Sequence, residues 1–317
     1  RDVYKRQIVG SLNMAYISQT ISSMSDRRGL YLVGAVMIFV FCMKGALFPL
    51  FTWMNRSYVA PPIAVSIIFG ALLTKVGLYS IIRTYGLFYY ESNFIKSYLL
   101  ILGAISIIAG CIGAIYQKDL KQIVVFNIVI SLGVMVCGTA TLNTFGVKGA
   151  LFYAVNDILL KAALFIIVGL IIYVSGVKYI QKCGLINKYP LLGWTCFIVV
   201  LSLAGVPPFS GFYGKALIIK GLVANNNTFI AILVALSGLV VFYSLIKVFL
   251  NVFYDNINKS LILKPLPKGV QIPLIAIVAI ALIIGVSTNL LDGFFDKGIQ
   301  MVLNPHHYID LVLKKGA

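Results

Sequence analysis

The chain has 317 residues, of which 60% are hydrophobic and only 11% are charged, whereas a soluble domain carries about 25% charged residues. Its mean hydropathy of +0.98 excludes an ordinary water-soluble protein and predicts an all-α, multi-pass membrane protein, because helices satisfy their own backbone hydrogen bonds in lipid. The net charge of +17 does not indicate nucleic-acid binding, because most lysines and arginines lie in short loops between apolar runs.

Apolar runs long enough to cross a bilayer follow one another with short connections. The chain begins with RDVYKRQ and has no initiator methionine, so we expect a fragment, and the native origin of residues 1–7 stays open. A polar loop at 251–269 and a short tail at 292–317 flank the last run. We predict eight spans, at about 31–54, 59–88, 97–116, 122–142, 149–177, 190–222, 227–250 and 270–291.

The basic residues are distributed unequally between alternate loops. The set of loops that includes Lys178, Lys182 and Lys188 holds ten lysines and arginines, and the other set holds six. Because cytoplasmic loops carry the excess of basic residues, we predict that the first set is cytoplasmic.

Two of the predicted spans contain prolines in their interior. Pro49 interrupts the span at 31–54, and Pro207 and Pro208 interrupt the span at 190–222. Proline removes a backbone donor and clashes with the preceding turn, so such helices break, and membranes tolerate a break only beside protein or a polar cavity. Broken helices at corresponding positions of two repeats are typical of a transporter site.

Four lysines fall inside the predicted spans: Lys44, Lys75, Lys161 and Lys215. A charge at the bilayer centre costs about 2.5–3.5 kcal/mol on insertion scales. Snorkelling to the interface is the alternative, and it suits Lys220, near a helix end, better than Lys44 or Lys161. Because desolvation destabilises the ammonium form, a lysine of this kind can both hold and release a proton, as a relay requires.

Asp157 is the one carboxylate in the middle of a predicted span. It precedes Lys161 by four residues, so both lie on one helix face and can pair; a purely structural ion pair is the alternative. Asn156 could hold a water molecule beside them. Thr74, like Ser131, lies in the same interior band, where polar residues more often serve helix packing.

The five cysteines form no C-x-x-C pair, and most lie in apolar runs. We interpret them as small buried hydrophobic residues rather than as metal ligands. No span offers the ligands of a haem, flavin or iron–sulfur cluster, so we expect no cofactor.

Five motifs carry a family resemblance in chain order. The sequence resembles the antiporter-like subunits, a superfamily that includes Mrp-type multisubunit cation:proton antiporters and proton-pumping membrane subunits of respiratory complex I. The similarity extends from about residue 8 to residue 290 and is greatest to the D-type members of the Mrp antiporters. The motifs are MKGALFPLFTWM, APPIAVSIIFGALLTKVGLYSIIR, QKDLKQIVVFNI, NDILLKAALFIIVG and SLAGVPPFSGFYGK.

This resemblance implies a fragment of a fourteen-helix fold with two inverted five-helix repeats. The remainder of the first repeat would occupy 8–88, the second repeat 97–253, the final transmembrane helix 270–291 and the tail 292–317.

The resemblance also assigns a role to each lysine. Lys44 would be the central lysine of the first half-channel and Lys75 a connecting lysine. Lys161 would be the central relay residue of the second half, and Lys215 its terminal site toward one membrane face. The family's usual glutamate partner of Lys44 lies on a helix absent from this sequence.

The expected function is that of a proton-translocating subunit of a sodium or other monovalent cation:proton antiporter in a bacterial plasma membrane, with other antiporter subunits as partners. Gly70 and Asn156 stand where complex I relatives often carry histidines, which favours the antiporter branch. One alternative is a proton-pumping subunit of a redox-driven NADH:quinone oxidoreductase-type complex or membrane-bound hydrogenase. The other alternative is a scaffold that transports nothing.

Overall fold

The structure, a computed structural model, describes residues 13–23, 28–254 and 263–314. Residues 1–7, whose origin the sequence leaves open, lie outside the described residues, as does much of the polar loop at 251–269. The regular structure of the described part is helical, and two residues, Asp119 and Tyr179, form an isolated β-bridge.

The helices follow the predicted apolar runs closely. Among the described residues, six helices are long and apolar enough to cross a membrane by length and composition: α4, α5, α6, α7, α10 and α11. In chain order the helices are α1 Met14–Ser23, α2 Arg28–Lys44, α3 Thr52–Val59, α4 Ile63–Phe88, α5 Asn93–Tyr116, α6 Leu120–Ala140, α7 Thr144–Ser175, α8 Pro190–Ala204, α9 Ser210–Ala224, α10 Thr228–Phe249, α11 Lys268–Val286, α12 Thr288–Leu303 and α13 Pro305–Lys314.

The two remaining predicted spans are each divided into two half-helices. The first breaks between α2 and α3, around Pro49, and the second between α8 and α9, around Pro207 and Pro208. Gly205 ends α8 with φ +84°, a left-handed conformation that glycine adopts without steric cost. The prediction of an all-α membrane bundle with two broken helices is therefore confirmed.

Helix α6 forms the centre of the bundle. It packs against α5, α7, α9 and α10, and the apolar stretch of α6 that is long enough to cross a membrane is wholly buried inside the protein. Its mean composition is as apolar as that of a lipid-facing helix, but its neighbours are helices on every side. The side chains of α6 that face α7 therefore lie in the interior of the protein.

The C-terminal region continues as helix beyond the last spanning segment. The last spanning helix, α11, ends at Val286 rather than at 291, and most of the predicted tail at 292–317 is helical. Helix α12 packs against α7 and α4, because Phe295 and Ile299, four residues apart on one face, are both buried. The repeat boundaries at 8–88 and 97–253 stay a prediction.

Candidate functional site

Helices α4 and α7 bring a lysine and an aspartate together in the interior. Lys75 Nζ lies 2.6 Å from Asp157 Oδ2, with the lysine 7% exposed and the aspartate fully buried. Such a short contact between oppositely charged groups is a charge-assisted hydrogen bond. The two residues are far apart in sequence, so helix packing alone creates this pair.

Lys161 completes a group of three charges. Its Nζ lies 4.0 Å from Asp157 Oδ1, and its side chain is 1% exposed. The sequence predicted this contact from the spacing of four residues, and the structure places it at the outer limit of an ion pair. Two ammonium groups thus share one carboxylate, so the group carries one uncompensated positive charge when both lysines are protonated and none when one proton leaves.

Neighbouring polar groups fix the Lys75–Asp157 pair. Ser131 on α6 donates a hydrogen bond of 3.1 Å to Asp157 Oδ2. Lys75 Nζ also donates to the carbonyl oxygen of Gly70 at 3.3 Å, within the π-helical turn Phe69–Leu73 of α4. Such a turn interrupts the regular pattern of backbone hydrogen bonds in the helix and leaves a carbonyl oxygen available to a side chain. Thr74 is fully buried beside Lys75.

Lys215 lies at the second helix break. Its Nζ donates to the carbonyl oxygens of Leu203 at 3.0 Å and Ala204 at 2.8 Å, the last two residues of α8. The last carbonyls of a helix have no partner within the helix and form its negative end. The break therefore supplies the acceptors that a buried ammonium group needs. The ring centroid of Tyr153 on α7 lies 5.6 Å from the same Nζ.

Asn156 lies next to Asp157 on α7 and bonds to α9, the helix that carries Lys215. Asn156 comes three residues after Tyr153 on the same helix. Its Oδ1 accepts a hydrogen bond from Ser210 Oγ at the start of α9. Its Nδ2 is buried without a hydrogen-bond partner among the described residues, and the same holds for Asp157 Oδ1. A buried polar atom of this kind is normally bonded to protein or ordered water.

Lys44 stands apart from the other three lysines. It is the last residue of α2 and is exposed, and within the described ranges no ion pair involves it. Pro49, Pro207 and Pro208 lie in the two breaks and are exposed as well. The structure therefore gathers Lys75, Asp157 and Lys161 in one group, places Lys215 in a separate site at the second helix break, and leaves Lys44 outside both.

Sequence reasoning missed three contributors to this site. The sequence indicates only a packing role for Ser131, Ser210 carries no signal beyond its place in the motif SLAGVPPFSGFYGK, and Tyr153 precedes the motif NDILLKAALFIIVG by three residues. A period of four residues links Tyr153 and Asp157 on one helix face, and this could have pointed to Tyr153. In the part of the chain that the structure describes, no three histidine, cysteine or acidic residues are grouped for a metal ion.

Comparisons with known proteins agree on the type of protein. A family model described as "NADH:quinone oxidoreductase/Mrp antiporter, TM" matches residues 4–240. A Bacillus subtilis (strain 168) protein, named as a subunit of a Na(+)/H(+) antiporter, is 38% identical over 315 residues, which cover 97% of this chain and 63% of the relative.

Solved structures share the fold at lower sequence identity. A chain of the Mrp complex from Dietzia sp. DQ12-45-1b matches with a TM-score of 0.90 at 21% identity, covering 98% of this chain and 66% of that chain. A chain of respiratory complex I from Thermus thermophilus matches with a TM-score of 0.83 at 22% identity, covering 96% and 64%. The chain thus spans less than two thirds of the length of these proteins.

Proposed function

Because the chain belongs to the NADH:quinone oxidoreductase/Mrp antiporter family of membrane proteins, we propose that it is a proton-translocating part of a multisubunit monovalent cation:proton antiporter. Its buried lysines relay protons through the membrane interior. The cation is sodium or another monovalent ion, the partners are other antiporter subunits, and the location is a bacterial plasma membrane.

The arrangement of Lys75, Asp157 and Lys161 is the observation that carries this proposal. An ionisable residue inside a membrane is expensive and usually functional, and a fixed structural pair needs one lysine and one carboxylate. Here a second lysine is buried within 4.0 Å of the same carboxylate. This second lysine adds nothing that a structural ion pair requires, but it gives the group two protonation states that differ by one charge.

The polar contacts suggest the order of the relay. A proton that leaves Lys161 or Lys75 is exchanged with Lys215 along the side of α7 that carries Asn156, which is bonded to Ser210 on α9. We infer that water molecules complete this connection, because Asn156 Nδ2 and Asp157 Oδ1 are buried without hydrogen-bond partners in the described region. Lys44 would act in the first half of the chain.

The antiporter branch is favoured over a redox-driven pump by the sequence relatives. The complex I chain is 22% identical, so that likeness concerns the fold alone, whereas the relative named as part of an antiporter is 38% identical. The genes next to this one distinguish the two functions. Small antiporter subunits support the proposal, and quinone-binding or iron–sulfur subunits contradict it.

Proton transport in everted vesicles tests the relay. The vesicles contain the full-length complex, and the change in internal pH on adding sodium is compared between the wild type and Lys161→Ala. We expect exchange to fall to the level of vesicles without the complex, because the group of three charges then has a single proton-carrying lysine.

The matched control is Lys220→Ala. Lys220 lies on α9, five residues after Lys215, but is exposed and lies 3.9 Å from the ring centroid of Phe145. This variant should keep wild-type exchange, and the assembly of the complex is verified for both variants. Wild-type exchange by an assembled Lys161→Ala complex would overturn the relay and support a scaffold or structural role for this residue.

A further inference from the structure

A groove opens at one end of the bundle, between the starts of α8 and α11. It has a volume of about 170 Å³. Its floor includes Leu192, Thr195 and Leu274, which are all buried. Leu191 and Ile275 form its sides and are 51% and 41% exposed.

The position of the groove along the helices places it at the membrane surface. Thr195 lies five residues into α8 and Ile275 seven residues into α11. At a rise of about 1.5 Å per residue the groove reaches roughly 8–10 Å into the bilayer from the helix starts. That depth extends from the headgroups to the first part of the acyl chains.

The mouth of the groove is basic. Lys188 lines it and is exposed. Tyr189 Oη, also at the mouth, donates a hydrogen bond of 2.8 Å to the backbone carbonyl oxygen of Lys264, whose Nζ lies 5.8 Å from the ring centroid of Tyr173. None of the described residues that line the groove is acidic. Both helices start there without an acidic residue in the first turn or a side-chain cap, so their positive ends add to the field.

We propose that this groove binds an anionic phospholipid. The phosphate lies at the mouth, beside Lys188, and one acyl chain lies between Leu191 and Ile275 over the buried floor. An apolar groove with a cationic mouth at headgroup depth matches a molecule whose charge and hydrocarbon are arranged in the same order. The basic loops at this end are the ones predicted to be cytoplasmic, where anionic lipids are concentrated. The inference does not depend on proton transport.

Native mass spectrometry of the full-length complex tests the proposal. The complex, purified in a mild detergent, is mixed with phosphatidylglycerol or with phosphatidylcholine, and the lipid retained per complex is measured. The wild type should retain phosphatidylglycerol in preference to phosphatidylcholine. Lys188→Glu should lower the affinity for phosphatidylglycerol about thirtyfold, or about 2 kcal/mol, because it removes one attractive charge at the headgroup and adds one repulsive charge.

Two further variants distinguish lipid binding in the groove from a non-specific effect of surface charge. Gln271→Trp places a bulky side chain at a half-exposed position that lines the groove, and it should reduce the retention of either lipid. Lys118→Glu is the matched control. Lys118 is exposed at the same end of the bundle, where its carbonyl oxygen accepts a hydrogen bond from Ile180, but it lies outside the groove and should leave retention unchanged.

Several outcomes would overturn the proposal. Equal retention of both lipids by the wild type would show that the lipid charge is not recognised. Equal losses of phosphatidylglycerol in Lys188→Glu and Lys118→Glu would show that surface charge, and not the groove, determines retention. Unchanged retention in Gln271→Trp, with the complex intact by size-exclusion chromatography, would show that lipid binds elsewhere or that a protein segment fills the groove.

Discussion

At the scale of single residues, Lys75 and Lys161 lie at unequal distances from the carboxylate of Asp157, which predicts unequal contributions to stability. Lys75 approaches one carboxylate oxygen to 2.6 Å and Lys161 approaches the other to 4.0 Å. The two lysines are both buried, but Lys75 provides most of the direct compensation for the aspartate charge. Their contributions to stability should therefore differ even if both are needed for transport.

We predict that Lys75→Met destabilises the protein much more than Lys161→Met. Removing one member of a buried ion pair costs about 3–5 kcal/mol, and the loss for Lys75→Met should lie near 3 kcal/mol because Lys161 remains nearby. Lys161→Met leaves the short pair intact and should cost less than about 1 kcal/mol. Thermal unfolding of the purified complex in detergent measures the order.

The exposed Lys220→Met variant serves as the baseline for this comparison. Equal destabilisation by Lys75→Met and Lys161→Met would contradict the unequal roles inferred from the two distances.

Sequence reasoning identified this site in part. The spacing between Asp157 and Lys161 follows from helix geometry and needs no knowledge of the fold. The shorter contact with Lys75 depends on how α4 packs against α7, which no local pattern contains. The apolar run around Lys44 predicts an interior position like that of the other lysines, but hydropathy does not distinguish a lipid-facing position from a buried one.

At the scale of helices, the start of α9 is held by a neighbouring helix. Gly285, near the end of α11, lies so close to Ser210 that an added Cβ would come within 2.5 Å of the Ser210 backbone nitrogen. Ser210 is the residue that donates to Asn156. The last turn of α11 thus determines where the second half of the broken helix begins.

We predict that Gly285→Ala impairs transport. The new methyl group meets backbone atoms, so α9 must shift by several tenths of an ångström and the Ser210–Asn156 hydrogen bond weakens. Exchange in everted vesicles should fall severalfold in an assembled complex. Gly269→Ala, on the same helix with nothing within 4 Å of the added Cβ, should have wild-type exchange; an equal loss in both variants would contradict this mechanism.

The helix breaks were predictable because proline acts locally. The adjacent Pro207 and Pro208 remove two backbone donors in a row, which favours a break more strongly than a single interior proline such as Pro273 in α11, and the structure ends α8 just before them.

The helical tail was not predicted, although Phe295 and Ile299 have helical spacing. The apolar residues of this segment alternate with Asp292, Asp296 and Lys297, so a search for uninterrupted apolar spans does not detect the helix. The burial of Phe295 and Ile299 depends on the surface that α7 offers.

At the scale of the whole molecule, α12 connects the C-terminal region to the bundle that holds the lysines. Phe295 packs at 6.0 Å from Phe152 on α7, measured between ring centroids, and Phe152 packs at 4.9 Å from Tyr213 on α9. Beside this cluster, Lys148 and Asp296 form an ion pair of 3.0 Å, with Asp296 51% exposed.

We predict that the aromatic contact, not the ion pair, anchors α12. Phe295→Ala should lower the free energy of unfolding by about 3 kcal/mol, the low end for a buried phenylalanine. Asp296→Ala should change it by less than about 1 kcal/mol, because exposed ion pairs contribute little. Thermal unfolding, together with protease cleavage within α12, measures both; a larger effect of Asp296→Ala would contradict the prediction.

The complete burial of α6 has a consequence for how the protein responds to its bilayer. A change in bilayer thickness acts on helices that face hydrocarbon, which tilt or bend to match it. The apolar stretch of α11 is only 17% buried within the protein, so this helix is exposed to a change in bilayer thickness, whereas the apolar stretch of α6 is wholly buried and is not. Ser131, which is on α6, is therefore shielded by neighbouring helices from a change in bilayer thickness, whereas Asp157 also depends on Lys75 of α4, whose apolar segment is only 50% buried.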